Sequence, residues 1–184
     1  MQMNHPVDFT EKKLSRSDLY DGLLVQVHVD EVLLPDGRTS KREVIEHVDG
    51  VAVLPLDQEN NVLTVTQYRY VFGRPMLEIP AGKLDPGEAP AAGALRELKE
   101  ETGAVPEEFC SLGAIIPACG CYSEVLHLFL ARGLRMETQQ LDEGEFLQVE
   151  RIPFDEMVRR CVSGEIEDAK TVAAVLKAKV LLNL

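Results

Sequence analysis

The segment Gly82-Lys-Leu-Asp-Pro-Gly-Glu88, followed after seven residues by Arg96-Glu-Leu-Lys-Glu-Glu-Thr-Gly103, limits most tightly what this chain can become. Residues 91–102 have helical spacing, with Ala92, Leu95 and Leu98 expected on one side and Gly103 ending the helix. Glu97 and Glu101 stand at i,i+4 on one face, with Glu100 flanking them. Like charges so spaced repel by roughly a few tenths of a kcal/mol per pair, so a purely structural helix gains nothing from the stack unless something neutralises it. Arg96 can pair with Glu100 at i,i+4 and orient the cluster. A divalent cation can also neutralise it, and hard carboxylate oxygens suit magnesium or manganese. Taken alone, a Glu-rich helix with Lys and Arg equally describes a solvated face. The glycines and Glu88 tip the balance. Gly82, Gly87 and Gly103 sit where a tight loop must enter and leave the helix, and Glu88, nine residues before Glu97, can fold back towards the cluster.

Around this segment, strands and helices interleave as in an α/β or α+β layered domain. Residues 1–15 are polar and are expected to form a loose arm. Leu23, Val25, Val27 and Val29 alternate as one face of a half-buried strand, which residues 32–34 continue. Pro35-Asp36-Gly37 is a turn, and residues 41–47 can pair back, giving an N-terminal antiparallel β region over residues 1–47 ahead of a main domain over 48–184. Residues 51–56 form a continuous apolar run suited to a fully buried strand, 57–61 a turn, and 62–68 the next strand. Residues 76–80, 111–116, 125–131 and 146–152 are further extended candidates, and 154–162 and 169–182 are helices.

The chain of 184 residues is 45% apolar and 27% charged, enough to bury a sizeable core. Its net charge of −12 argues against a nucleic-acid polymer as partner. A small anionic ligand would then need a local cation, either a metal or a few placed arginines. Cys110, Cys119, Cys121 and Cys161 include no Cys-x-x-Cys pair and read as free thiols of a reducing cytoplasm. Residues 1–13 carry no apolar core of a signal peptide, and no stretch approaches the roughly 20 apolar residues of a membrane span. His28, His47 and His127 lie on strand-like segments and are weak catalytic candidates.

The carboxylate segment resembles the Nudix box, Gly-x5-Glu-x7-Arg-Glu-U-x-Glu-Glu-x-Gly-U, where U is a bulky aliphatic residue. Gly82, Glu88, Arg96, Glu97, Leu98, Glu100, Glu101 and Gly103 all match, and only Ala104, a packing position, is smaller than the pattern asks. The resemblance implies the Nudix α/β/α sandwich with a mixed sheet. Gln67-Tyr68-Arg69 and Leu77-Glu-Ile-Pro-Ala-Gly-Lys83 resemble the ADP-ribose pyrophosphatase branch, as does the N-terminal β region carrying Arg42-Glu43. In the later loop, Gly120 and Glu124 match that branch, whereas Cys119 stands where a proline is expected.

By resemblance, Glu97, Glu100 and Glu101 would bind Mg2+ (or Mn2+) together with the backbone carbonyl of Ala81, and Glu100 would alternatively position water. Glu124 would be the general base, and Arg96 would order the cluster. Arg69 is a candidate for the diphosphate, since a guanidinium binds such oxygens bidentately. Arg42 and Glu43 are candidates for the adenosine end, and Lys83 is a further substrate-binding candidate; Glu78 is either buried near the box or an ordinary strand residue. The implied reaction is magnesium-dependent hydrolysis of ADP-ribose or a related nucleoside diphosphate sugar, to AMP and ribose 5-phosphate for ADP-ribose. Another nucleotide sugar or a dinucleotide is the alternative substrate. A nucleotide-binding module without catalysis is disfavoured, because every box carboxylate is present. The branch also implies a homodimer.

Overall fold

The computed structural model describes residues 7–183. The expectations for the extreme N-terminus, a loose arm without a signal sequence, fall partly outside those residues. Within them, residues 12–21 are not loose. They form strand β1 (Lys12–Asp21), paired antiparallel with β2 (Gln26–Leu33), which pairs with β3 (Thr39–Glu46). Every residue of β1 is exposed, so its position is set by backbone pairing and not by an apolar face. In β2 the buried side chains are His28 and Val32, while Leu23 lies outside the strand and fully exposed. The expected valine face is therefore only half-buried, and the opposite face is the covered one. These strands form one compact unit, residues up to Val48 together with Ala118–Glu124. That second stretch is tied to β3: the Ile45 N–H donates to the Cys121 carbonyl at 2.7 Å and the Ser123 N–H to the Ile45 carbonyl at 3.0 Å.

The other unit, Asp49–Pro117 with Val125–Leu184, is built on a mixed sheet. Its strands are β4 (Gly50–Leu56), β5 (Asn61–Arg69), β6 (Arg74–Glu78), β7 (Ala81–Lys83), β8 (Ala104–Ile115), β9 (Leu126–Met136) and β10 (Leu147–Pro153). The main order is β10-β5-β4-β9-β8, with β6 on β5 and β7 on β4; only β4 and β9 run parallel. Successive side chains of a strand point to opposite faces, and here both faces are covered. Val51 and Val53 pack with Ala94 and Leu98 of helix α1 (Pro90–Thr102). Ala52, Leu54 and Leu56 pack with Met157 of α2 (Phe154–Ser163) and Ala174, Val175 and Ala178 of α3 (Ala169–Leu182). This is why residues 51–56 form an unbroken apolar run: every side chain of β4 is buried on one face or the other. The result is an α/β/α sandwich.

Helix α1 is rotated from its expected setting. Leu95 is 39% exposed, and the buried stripe is Ala94, Leu98 and Glu101. That setting places a carboxylate on the buried side of the helix.

Candidate functional site

Helix α1 starts with Pro90 in its first turn, where the missing N–H costs nothing, and ends at Gly103 in the left-handed region at φ 72°. The Gly103 N–H caps the Lys99 carbonyl at 2.8 Å, and a Cβ at this position would lie 2.4 Å from the Glu137 carbonyl oxygen. At the other end of the segment, a Cβ on Gly82 would lie 2.0 Å from the Glu97 carboxylate. The glycine therefore lets β7 run directly against the carboxylate face of α1.

Arg96 gathers the side chains of that face. Its Nε and Nη2 donate to Glu88 at 3.0 and 2.9 Å, its Nη1 to Glu97 at 2.9 Å and Glu100 at 3.0 Å, and its Nη2 also to the Lys83 carbonyl at 3.1 Å. Glu88 accepts the Asp85 N–H as well. The Arg96 hydrogen bonds, with that backbone donor, hold its carboxyl down to about 2. Glu97 moves the other way: burial raises its pKa, opposed by Arg96 and aided by the charges of Glu100 and Glu145.

Glu101 is 2% exposed, and no Lys, Arg or His lies within ion-pair distance of it among the described residues. Burial pushes its pKa up to about 8, helped by the charges of Glu97 and Glu145 and opposed by the Ala81 N–H, which donates to Oε2 at 3.0 Å. A carboxylate desolvated in this way is costly unless a cation or several donors compensate it.

A divalent cation suits this donor set. It is all hard oxygen, it includes one buried carboxylate lacking an ion-pair partner, and the glycine at 82 leaves room beside Glu97. Among the described residues, however, no three His, Cys, Asp or Glu side chains are already gathered as a metal cluster. The guanidinium of Arg96 holds one oxygen of Glu97 and one of Glu100.

Of the other sequence candidates, Arg69 lies at the end of β5, clamped to the buried Glu78 by two bonds of 2.6 Å from Nε and Nη2. Glu101 contributes to the raised pKa of Arg69, behind Glu78 and Asp168, which places Arg69 within electrostatic range of the carboxylate helix. Lys83 is exposed on β7, beside the carboxylate helix that its carbonyl contacts through Arg96. Arg42, Glu43 and Glu124 belong to the first unit. Arg42 is paired with Glu11 at 2.5 and 2.8 Å, and Glu43 is exposed on β3. Glu124 Oε1 lies 3.8 Å from His47 Nδ1, and the His47 ring lies 5.3 Å from that of Tyr122. His28 is buried in β2, and His127 is on β9, 3.8 Å from Asp49.

Sequence reasoning missed Glu145. The stretch following β9 is anchored to the end of α1: the Gln140 N–H donates to the Glu100 carbonyl at 3.0 Å and the Gln139 side chain to the Glu101 carbonyl at 2.5 Å. Glu145, farther along that stretch, acts electrostatically on both Glu97 and Glu101. In sequence it is one acid in Asp142-Glu-Gly-Glu145, which looks like any solvated turn. Lys170 was missed as well; it lies on α3, bonded to Glu78 and to Asp168.

Residues 46–175 match the NUDIX domain, and residues 11–45 match the nucleoside diphosphate sugar hydrolase N-terminal domain. The chain is 38% identical over 167 residues to an ADP-ribose pyrophosphatase of Bacillus subtilis, covering 90% of each chain. It is 40% identical over 169 residues to a methanol dehydrogenase activator of Bacillus methanolicus, covering 91% of each. An ADP-ribose pyrophosphatase of Mycobacterium tuberculosis is 35% identical, covering 89% of this chain and 80% of that one. A crystal structure of an ADP compounds hydrolase superposes with a TM-score of 0.84 over 94% of both chains at 22% identity, which is a likeness of fold.

Proposed function

The chain belongs to the Nudix family of hydrolases, and from that premise we propose that it hydrolyses the diphosphate of ADP-ribose or a related nucleoside diphosphate sugar with Mg2+. For ADP-ribose the products are AMP and ribose 5-phosphate. The observation that carries the reading is Glu101, a buried carboxylate beside Glu97 with no Lys, Arg or His in ion-pair distance among the described residues, in a chain 38% identical to an ADP-ribose pyrophosphatase.

Glu97, Glu100 and Glu101, with the Ala81 carbonyl, would hold the metal. When bound, the ion would polarise the diphosphate and lower the pKa of a coordinated water. Arg96 keeps Glu88, Glu97 and Glu100 in one place before the ion arrives. Arg69 offers its remaining guanidinium N–H groups to diphosphate oxygens, and Lys83 adds a cation beside them. Arg42 and Glu43 would serve the adenosine end.

A general base needs only hydrogen-bond reach of the attacking water, directly or through another water. Glu124 is the candidate from family resemblance. A second candidate is Glu145, exposed on the stretch after β9 that Gln139 and Gln140 tie to the end of α1.

The homodimer and cytoplasmic setting are part of the same reading. Phe9, Leu14, Leu19 and Tyr20 are 80%, 49%, 64% and 60% exposed, apolar surface of the kind that a second copy covers. The four cysteines are free thiols. No helix among the described residues is long and apolar enough to cross a membrane.

The decisive experiment is a substrate panel of ADP-ribose, nucleotide sugars and dinucleotides, assayed with Mg2+ and with chelator, alongside a sedimentation measurement of mass. We expect fastest turnover of ADP-ribose or a nucleoside diphosphate sugar, complete loss of turnover with chelator, and a dimer. Preferred cleavage of a dinucleotide would overturn the substrate class, and chelator-resistant turnover would overturn the metal.

A further inference from the structure

The first turn of α3 carries a hydrogen-bond network that the proposed chemistry does not use. Asp168 is the N-cap, and its Oδ2 accepts the Thr171 N–H at 3.0 Å and the Thr171 hydroxyl at 2.5 Å. With its proton committed to that carboxylate, the hydroxyl oxygen is left as an acceptor, and it takes the Ile79 N–H at 2.9 Å. Thr171 is fully buried, so this bond is shielded from water. A charge-assisted bond on one side of a hydroxyl strengthens what the hydroxyl does on the other.

Ile79 lies two residues before Ala81, and the polar anchors of this short segment come from four elements, β5, α3, β4 and α1. The Glu78 carboxylate is gripped by Arg69 of β5 and by Lys170 of α3. The Ile79 N–H is held by Thr171, the Pro80 carbonyl by the Val53 N–H of β4 at 2.9 Å, and the Ala81 N–H by Glu101 of α1 at 3.0 Å. The Pro80–Ala81 peptide, whose N–H meets Glu101, and the Ala81 carbonyl that follows it are thus braced by α3 from the far face of the sheet.

We propose that Thr171, polarised by Asp168, is a positioning residue for the metal end of the site: it fixes the Glu78–Ala81 backbone so that the Ala81 carbonyl and Glu101 present their oxygens together. The inference rests on the metal reading above. Groups that orient metal ligands from behind typically affect affinity by about 10–100-fold.

The test is Mn2+ binding, read by the loss of free-ion paramagnetic resonance signal well below the melting temperature of each variant. Thr171→Val keeps the shape and removes both hydroxyl bonds, and its Mn2+ dissociation constant should rise about 10-fold or more. Thr171→Ser restores the hydroxyl and should return affinity to within about 3-fold of wild type. A folded Thr171→Val protein that binds Mn2+ as wild type does, whatever its melting temperature, overturns the inference. Should Thr171→Val fail to fold, Asp168→Asn carries the test: it weakens the polarising charge and should raise the constant by about 3-fold, and an unchanged constant overturns the inference. If the wild-type protein itself takes up no Mn2+, the metal reading falls and this inference with it. Wild-type binding matched by the variants removes this inference alone.

Discussion

Glu88 and Glu101 are the same residue type in one short motif, yet they occupy opposite electrostatic worlds. Glu88 accepts two bonds from Arg96 and one from the Asp85 N–H, and its pKa is held down to about 2. Glu101 is buried beside Glu97 with a single backbone donor, and burial pushes its pKa up to about 8. The helix thus has one acid compensated by the protein and another left for something else to compensate. Arg96 divides them: its five bonds reach Glu88, Glu97, Glu100 and Lys83, and none reaches Glu101.

The strongest way to break this contrast is Glu101→Gln. The several kcal/mol that a bound cation supplies correspond to about 10³–10⁴ in rate, so turnover should fall by that factor while metal-free thermal stability is retained, because a buried neutral amide is less costly than a buried carboxylate. Steady-state kinetics paired with a melting curve tests both halves, and near-normal Mg2+-dependent turnover would remove Glu101 from the metal site.

A smaller effect separates the two candidate bases. Loss of the working base should lower kcat by about 10²–10³ with Mn2+ affinity within about 3-fold of wild type, a factor worth well under 1 kcal/mol. Glu145→Gln and Glu124→Gln are therefore compared directly under single-turnover conditions. A Glu145→Gln enzyme at full rate returns the role to Glu124, and an unaffected Glu124→Gln enzyme rules Glu124 out.

The smallest expected effect is the pH dependence at Glu88. Its carboxyl is depressed in the folded state relative to the ordinary 4.5, so its stabilising contribution is present above that value and is lost as pH falls towards about 2. The melting-temperature gap between wild type and Glu88→Gln, measured without metal, should be constant from pH 7 to 5 and shrink below 4.5. A gap that persists unchanged at pH 3 would show that the Arg96 pairing is not its source.

Much of this was legible in advance, for reasons that differ by element. The apolar run of residues 51–56 reads as a strand covered on both faces, and β4 is one. Gly103 reads as a helix stop because only a left-handed residue closes α1 there. Other features lay beyond local pattern. β1 has no apolar face and exists through pairing with β2. The rotation of α1 that exposes Leu95 and buries Glu101 is chosen by the sheet beneath it, since helical spacing alone left Ala92, Leu95 and Leu98 the better stripe. Arg69 reads as a free guanidinium until Glu78, nine residues on in sequence, is found buried against it.

The sequence by itself determined the chemistry available: eight box positions at fixed spacing that bring glycines, an arginine and carboxylates together on one short segment. Tertiary structure decided which carboxylate is starved of a counter-charge, which acid lies near it, and which elements hold the backbone it bonds to. Spacing along a helix sets what faces what within about one turn. Burial, and contacts such as Glu101 with Ala81 or Ile79 with Thr171, depend on segments 20 and 92 residues apart meeting across a folded sheet.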